Sequence, residues 1–315
     1  MALHRIDTHH HPYPPVYVEK TRDVLKRTTH AFYDRLTQWQ PSQAIETMDK
    51  NGIAVAVLSI GTPSVWLGDV AASRALAREC NDAAAKMQSD HKGRFGHFAT
   101  IPLPDVDGSL REIEYLYSAL KADGIALTTN YDDKYAGEDA FAPVFDDLNR
   151  RKAVVYFHPT AASFAFNRVK DIPPPTIEFP FDTTRTITSL LFSGTFSRCP
   201  DIRWIFSHGG GALGMVANRL AGLAKNRPEL AARVPGGVKQ ELGKLYLDVV
   251  GIATPGALAA VLDIVPMSQL LFGTDFPFWA PDVAVNGLAA LKLNAADLAA
   301  IERGNALKLM PGLAR

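Results

Sequence analysis

The 315-residue chain is 47% hydrophobic and 21% charged, the profile of a soluble globular protein. Its 33 basic residues balance 33 acidic ones, which argues against a basic nucleic-acid surface or a charge-driven hold on anionic membranes. Two cysteines, no signal-peptide run at the start and no stretch near the ~18 apolar residues of a membrane span point to a reducing, cytoplasmic setting. The first short apolar run, 3–9, leads into His9-His10-His11. A long connection, 12–40, follows it and carries Tyr13, Tyr17, Phe32, Tyr33 and Trp39. Segment 41–49 opens on Pro41 and stops at Asn51-Gly52, a helix with its C-cap signal. Next come a strand-like run, 54–59, and an Ala-rich helix without breakers, 71–87. Runs 95–101, 124–129 and 153–158 read as the third, fourth and fifth strands. A connection rich in proline and phenylalanine, 160–183, leads to a helix over 184–198, with Pro200 just beyond it. Runs 203–208, 245–250 and 270–275 complete the strands, and Asn294 is placed to cap a final helix with Asp297 in its first turn.

Strands alternating with helix-length segments predict βα units and a parallel sheet. Eight such units predict an α/β chain closed into a (β/α)8 TIM barrel rather than an open doubly wound sheet. A dinucleotide fold needs a Gly-rich turn after the first strand, where this chain has His9-His10-His11-Pro12. No repeat, low-complexity tract or linker interrupts the chain, so one domain over 1–315 is expected. The connections 12–40 and 160–183 are insertions on the C-terminal face, where barrel active sites form. Lids and packing or oligomer flaps are equal readings of them.

Side chains at i and i+2 share a face of a strand, so His9 and His11 turn together to the barrel mouth and His10 turns away. The fifth strand ends in His158, the sixth in His208 before Gly209-Gly210-Gly211, and the eighth in Asp275. A lone histidine at such a place is more often structural, and a lone aspartate more often a helix cap. Four strands delivering only His or Asp to one rim point instead to a divalent metal held by His9, His11, His158 and Asp275. Three neutral imidazoles and one carboxylate leave such a metal a Lewis acid, provided a further coordination position stays open. His208 is read as the general acid/base, and the glycines after it let substrate or backbone approach closely.

The set Ile6-Asp7-Thr8-His9-His10-His11, Phe157-His158-Pro159, Ser207-His208-Gly209-Gly210-Gly211 and Phe272-Gly273-Thr274-Asp275-Phe276-Pro277 resembles the amidohydrolase superfamily. More narrowly it resembles the aminocarboxymuconate-semialdehyde decarboxylase-like branch, whose C-terminal helix Arg303-Gly304-Asn305-Ala306-Leu307 is similar to. The resemblance covers nearly the whole chain and implies an amidohydrolase-type barrel with one metal and His208 as catalytic histidine. It also implies Arg219 as a grip on a substrate carboxylate, in its own or a neighbouring subunit, through its bidentate fork; a surface ion pair is the plainer role. The branch uses zinc or manganese, and the ligand set suits zinc slightly better. An arginine of the muconate-semialdehyde enzymes is replaced by Ala44, which argues against the same dicarboxylate substrate. Trp39-x-Pro41, Met48-Asp49 and Phe179-Pro180-Phe181-Asp182-Thr183-Thr184-Arg185 look closer to the 6-methylsalicylate decarboxylases. The all-histidine first pair differs from resorcylate-type enzymes, where a glutamate commonly stands first.

What the resemblance implies is non-oxidative decarboxylation of a small hydroxylated aromatic or related carboxylic acid. The proton would come from Asp275, or from water assisted by His208. Phe181, Phe276, Phe278 and Trp279 would form an apolar wall, though such residues are more often core. The same residues would serve hydrolysis of a lactone, ester or C–C bond by water with its pKa lowered to roughly 7. A non-catalytic protein with a structural metal is the third reading. Near-zero net charge permits self-association, so a homodimer or higher homo-oligomer is expected, with a small acid as the other partner.

Overall fold

Eight short strands run parallel and in chain order in the computed structural model, which describes residues 3–29, 32–165 and 169–314. They are β1 (Arg5–His10), β2 (Ile53–Ser59), β3 (Phe95–Thr100), β4 (Gly124–Thr128), β5 (Val154–His158), β6 (Arg203–Phe206), β7 (Tyr246–Asp248) and β8 (Leu270–Leu271). Past β8 the backbone turns onto β1. Thr8 N–H donates to the Phe272 carbonyl at 2.9 Å, Asp275 N–H to His9 at 2.8 Å, and His11 N–H to Phe276 at 2.8 Å. A parallel bridge between His10 and Phe276 completes the seam. The sheet is thus closed into a (β/α)8 barrel with its helices outside.

Burial on both faces explains why these strands are continuous apolar runs. Val154 and Tyr156 of β5 point into the barrel with Ile6, Val55, Val57 and Phe98. Val155 and Phe157 point out to the helices. The C-terminal residues Leu309, Met310 and Leu313 pack onto the inner cluster. Pairing of β1 with β2 is irregular between Arg5 and Ile6 and again between Asp7 and His10, and the second breaks the alternation. Ile6 packs inside, and the irregularity then brings His9 rather than His10 to the mouth.

Three expectations change. The connection 12–40 contains helices Pro15–Thr29 and Tyr33–Thr37, with 30–31 outside the described residues. Tyr17, Thr21, Leu25 and Thr29 recur every fourth residue and form the buried stripe of the first helix. The connection 160–183 contains the start of helix Pro174–Phe192, with 166–168 outside the described residues. Its first turn accepts Pro174 and Pro175 because the N–H groups there have no intrahelical partner to lose. The helix expected over 184–198 therefore begins earlier and stops at Phe192, before Gly194 at φ 78 and a short turn at Thr195–Arg198. A hairpin not expected from sequence, Asn130–Tyr131 with Lys134–Tyr135, follows β4, turning on Asp132 and Asp133 at φ 50 and 62.

The other helices agree closely with expectation, at Pro41–Lys50, Val70–Asp90 and Ala295–Ala299. Asp69 and Asn294 cap the latter two, accepting from the N–H groups of Ala72 and Asp297. Cys80 and Cys199 are free, buried thiols. Among the described residues no helix is long and apolar enough to cross a membrane.

Candidate metal centre

At the mouth of the barrel, His9 Nε2 lies 3.1 Å from His11 Nε2 and 3.1 Å from Asp275 Oδ1. His11 Nε2 is also 3.1 Å from Asp275 Oδ1, and His158 Nε2 is 4.0 Å from it. His208 Nε2 reaches the other oxygen, Asp275 Oδ2, at 3.4 Å. One donor atom each from His9, His158, His208 and Asp275 falls within a mutual 4.8 Å. Tetrahedral ligands at ordinary zinc distances stand roughly 3.3 Å apart, so the 3.1 Å spacings among His9, His11 and Asp275 suit a single cation, whereas the 4.8 Å set takes in His208 in place of His11.

The hydrogen bonds on the far side of the rings decide what the near side offers. His9 Nδ1 donates to Asp248 Oδ2 at 2.8 Å, and His11 Nδ1 donates to the Ser59 carbonyl at 2.9 Å. Both Nε2 atoms therefore turn toward each other and toward the Asp275 carboxylate. Electron-rich atoms this close repel unless positive charge lies among them. The donor set fits a divalent transition metal.

The electrostatics agree. Burial pulls the His9 pKa down, but Asp248 and Asp275 outweigh it and hold it up at about 10, so the two carboxylates draw positive charge to this point, as a proton on His9 or as a metal in its place. Burial prevails at His11 and His158 and lowers both, so they are neutral imidazoles. Burial alone would raise Asp275; His9, His11 and His208 reverse this and keep its carboxylate well below its ordinary range.

Local backbone holds these side chains in place. His208 and Asp275 both sit in the left-handed region, at φ 54 and 58, uncommon for residues with a Cβ. His208 N–H is fixed by Asp248 Oδ1 at 2.9 Å, and Asp275 N–H by the His9 carbonyl. A Cβ on Gly211 would stand 2.0 Å from the Pro180 carbonyl oxygen. What the glycine at 211 admits is thus the backbone of helix Pro174–Phe192. Asp7, fully buried, accepts from His9 N–H and Thr274 N–H at 3.0 Å each and from the Thr274 hydroxyl at 2.6 Å. It also takes His10 Nδ1 at 3.0 Å, and His10 packs on Phe276, out of the cluster.

Asp248 was not singled out by the sequence reading, although it touches both His9 and His208. The available signal was an acid inside the apolar run 245–250, since a buried charge is costly unless paired. The Phe278 ring lies 5.9 Å from His11, whereas Phe276 faces His10. Phe181 and Trp279 are 47% and 44% exposed; Phe179, not Phe181, meets His158, at 6.0 Å. Arg219 lies on helix Leu213–Asn226, exposed and without an ion-pair partner among the described residues.

Comparison with known proteins adds the following. The family described as amidohydrolase matches residues 6–311. A decarboxylase of Aspergillus niger, yanB, is 36% identical, covering 98% of this chain and 88% of its own. A 6-methylsalicylic acid decarboxylase of Penicillium expansum is 32% identical, covering 98% and 97%. The solved dihydroxybenzoic acid decarboxylase of Polaromonas sp. JS666, with manganese and 2-nitroresorcinol bound, superposes with a TM-score of 0.84 at 22% identity over 99% of this chain and 97% of that one.

Proposed function

The chain belongs to the amidohydrolase family, and from that premise we propose that it is a metal-dependent carboxy-lyase that removes CO2, without oxidation, from a small hydroxylated aromatic or related carboxylic acid. One observation carries the reading: His9, His11, His158, Asp275 and His208 converge in a chain whose decarboxylase relatives align over 98% of its length. Those relatives weigh it above hydrolysis of a lactone, ester or C–C bond.

His9, His11, His158 and Asp275 would hold the metal, zinc by the chemistry of three imidazoles, with manganese second because the Polaromonas enzyme binds it. When bound, the metal supplies Lewis acidity toward the substrate's oxygens. In the reaction a proton adds to the ring carbon that bears the carboxylate. That C–C bond then breaks, its electron pair restores the aromatic ring, and CO2 leaves. We assign the proton to His208 Nε2, with the ionised Asp275 at 3.4 Å orienting the imidazole. Phe278 and Phe181 would contact the ring of the substrate. Arg219, without an ion-pair partner among the described residues, would grip a carboxylate in the neighbouring subunit of a homodimer.

The test measures CO2 release from 6-methylsalicylate and 2,6-dihydroxybenzoate by zinc- and manganese-loaded protein, beside a lactone-opening assay. CO2 from at least one hydroxybenzoate is expected. Lactone opening with no CO2 from any acid would replace this reading with hydrolysis.

A further inference from the structure

Tyr13 lies two positions beyond His11, where the chain leaves β1. It is 2% exposed, and its hydroxyl is buried with no hydrogen-bond partner among the described residues. Its ring centroid is 6.0 Å from Tyr17 and 6.3 Å from Phe278, and Phe278 in turn is 5.9 Å from His11. Tyr17 provides the contrast. It is buried as deeply, yet it donates to the Ser64 carbonyl at 3.1 Å. A buried hydroxyl without a partner is a cost to folding that a phenylalanine would not carry.

We propose that Tyr13 is a substrate-contacting residue whose neutral O–H donates a hydrogen bond to the carboxylate of the aromatic acid bound beside the metal centre. The inference rests on the decarboxylase reading and adds a specificity-determining group to it. A neutral phenol adds a directional hydrogen bond that orients the acid beside the metal and Arg219. Tyr17 and Phe278 flank the same ring with apolar surface suited to an aromatic substrate.

The experiment compares wild type with Tyr13→Phe, both metal-loaded, for binding of 6-methylsalicylate and of its decarboxylation product, 3-methylphenol. The variant should keep its metal and keep or raise its Tm, because only an unpaired oxygen is removed. Its affinity for the acid should fall about 10- to 100-fold, with affinity for the phenol unchanged. Equal affinity for the acid, equal weakening for both compounds, loss of metal, or a wild type that does not bind the acid would each overturn the proposal. A wild type that binds the acid but never releases CO2 would instead sink the decarboxylase reading, and the acid-to-phenol contrast would still decide the role of Tyr13.

Discussion

Asp248 braces the candidate metal centre from behind. One oxygen orients the His9 ring and the other holds the backbone of His208, so the proposed ligand and the proposed proton donor share one support. Outer carboxylates of this kind raise ligand basicity and fix the tautomer. Asp248→Asn should weaken metal binding by about 10- to 100-fold, read by competition with a chromophoric chelator. His208→Ala should retain metal and lose turnover by roughly 10²- to 10⁴-fold, whereas His158→Ala and Asp275→Ala should lose metal by mass spectrometry. Metal loss from His10→Ala in place of His9→Ala would refute the assignment along β1. A residue outside the cluster also contributes to acid stability. Burial in β3 lowers the His97 pKa from an ordinary 6.5 to about 4. The unfolded chain therefore takes up this proton first as pH falls. Stability is intact above 6.5, declines between 6.5 and 4, and loses about 3 kcal/mol in all. In His97→Gln the fall in Tm across that window should be shallower than in wild type; an unchanged slope would refute the assignment.

Among the elements, helix Pro174–Phe192 is pinned where it crosses the barrel mouth. Asp182, fully buried within it, accepts from the Thr129 hydroxyl, from Asn130 Nδ2 at 2.8 Å and from Tyr135 Oη at 2.6 Å. The hairpin after β4 thus serves as an anchor for the helix that carries Phe179 to His158. Asp182→Ala leaves those donors without their acceptor and should cost about 3 kcal/mol, with faster proteolysis inside the helix and a lower Tm; a Tm equal to wild type would deny the anchoring role. The strand ends were legible in the sequence because a parallel barrel buries each strand on both faces, so a polar residue at its end stands out. His158 ends β5 as expected, whereas His208 and Asp275 lie beyond the ends of β6 at Phe206 and β8 at Leu271, each in the left-handed region. The helix at Pro174–Phe192 was not legible, because Pro173, Pro174, Pro175 and Pro180 read locally as loop; what stabilises it is packing and the bonds of Asp182 to residues 47 to 53 positions away. Asp248 escaped for the same reason, its partner His9 being 239 positions distant. The β1 irregularity also left no local mark.

For the whole molecule, the candidate metal centre and the fold share their supports. A ligand that binds only the folded state stabilises it by mass action, about 4 kcal/mol at a thousand times its Kd. A chelator should therefore lower the Tm of the loaded protein, and zinc or manganese should restore it; an unchanged Tm on stripping would place the metal elsewhere. The seam between β1 and the segment after β8 has a further consequence. Asp275 is joined to His9 by a backbone bond at the point where the first and last strands meet. During synthesis, three imidazoles leave the ribosome well before the carboxylate that completes their set. If Asp275 serves as proposed, a nascent or C-terminally shortened polypeptide lacking that carboxylate would not carry out the chemistry, and reactivity would be withheld until translation has passed the eighth strand.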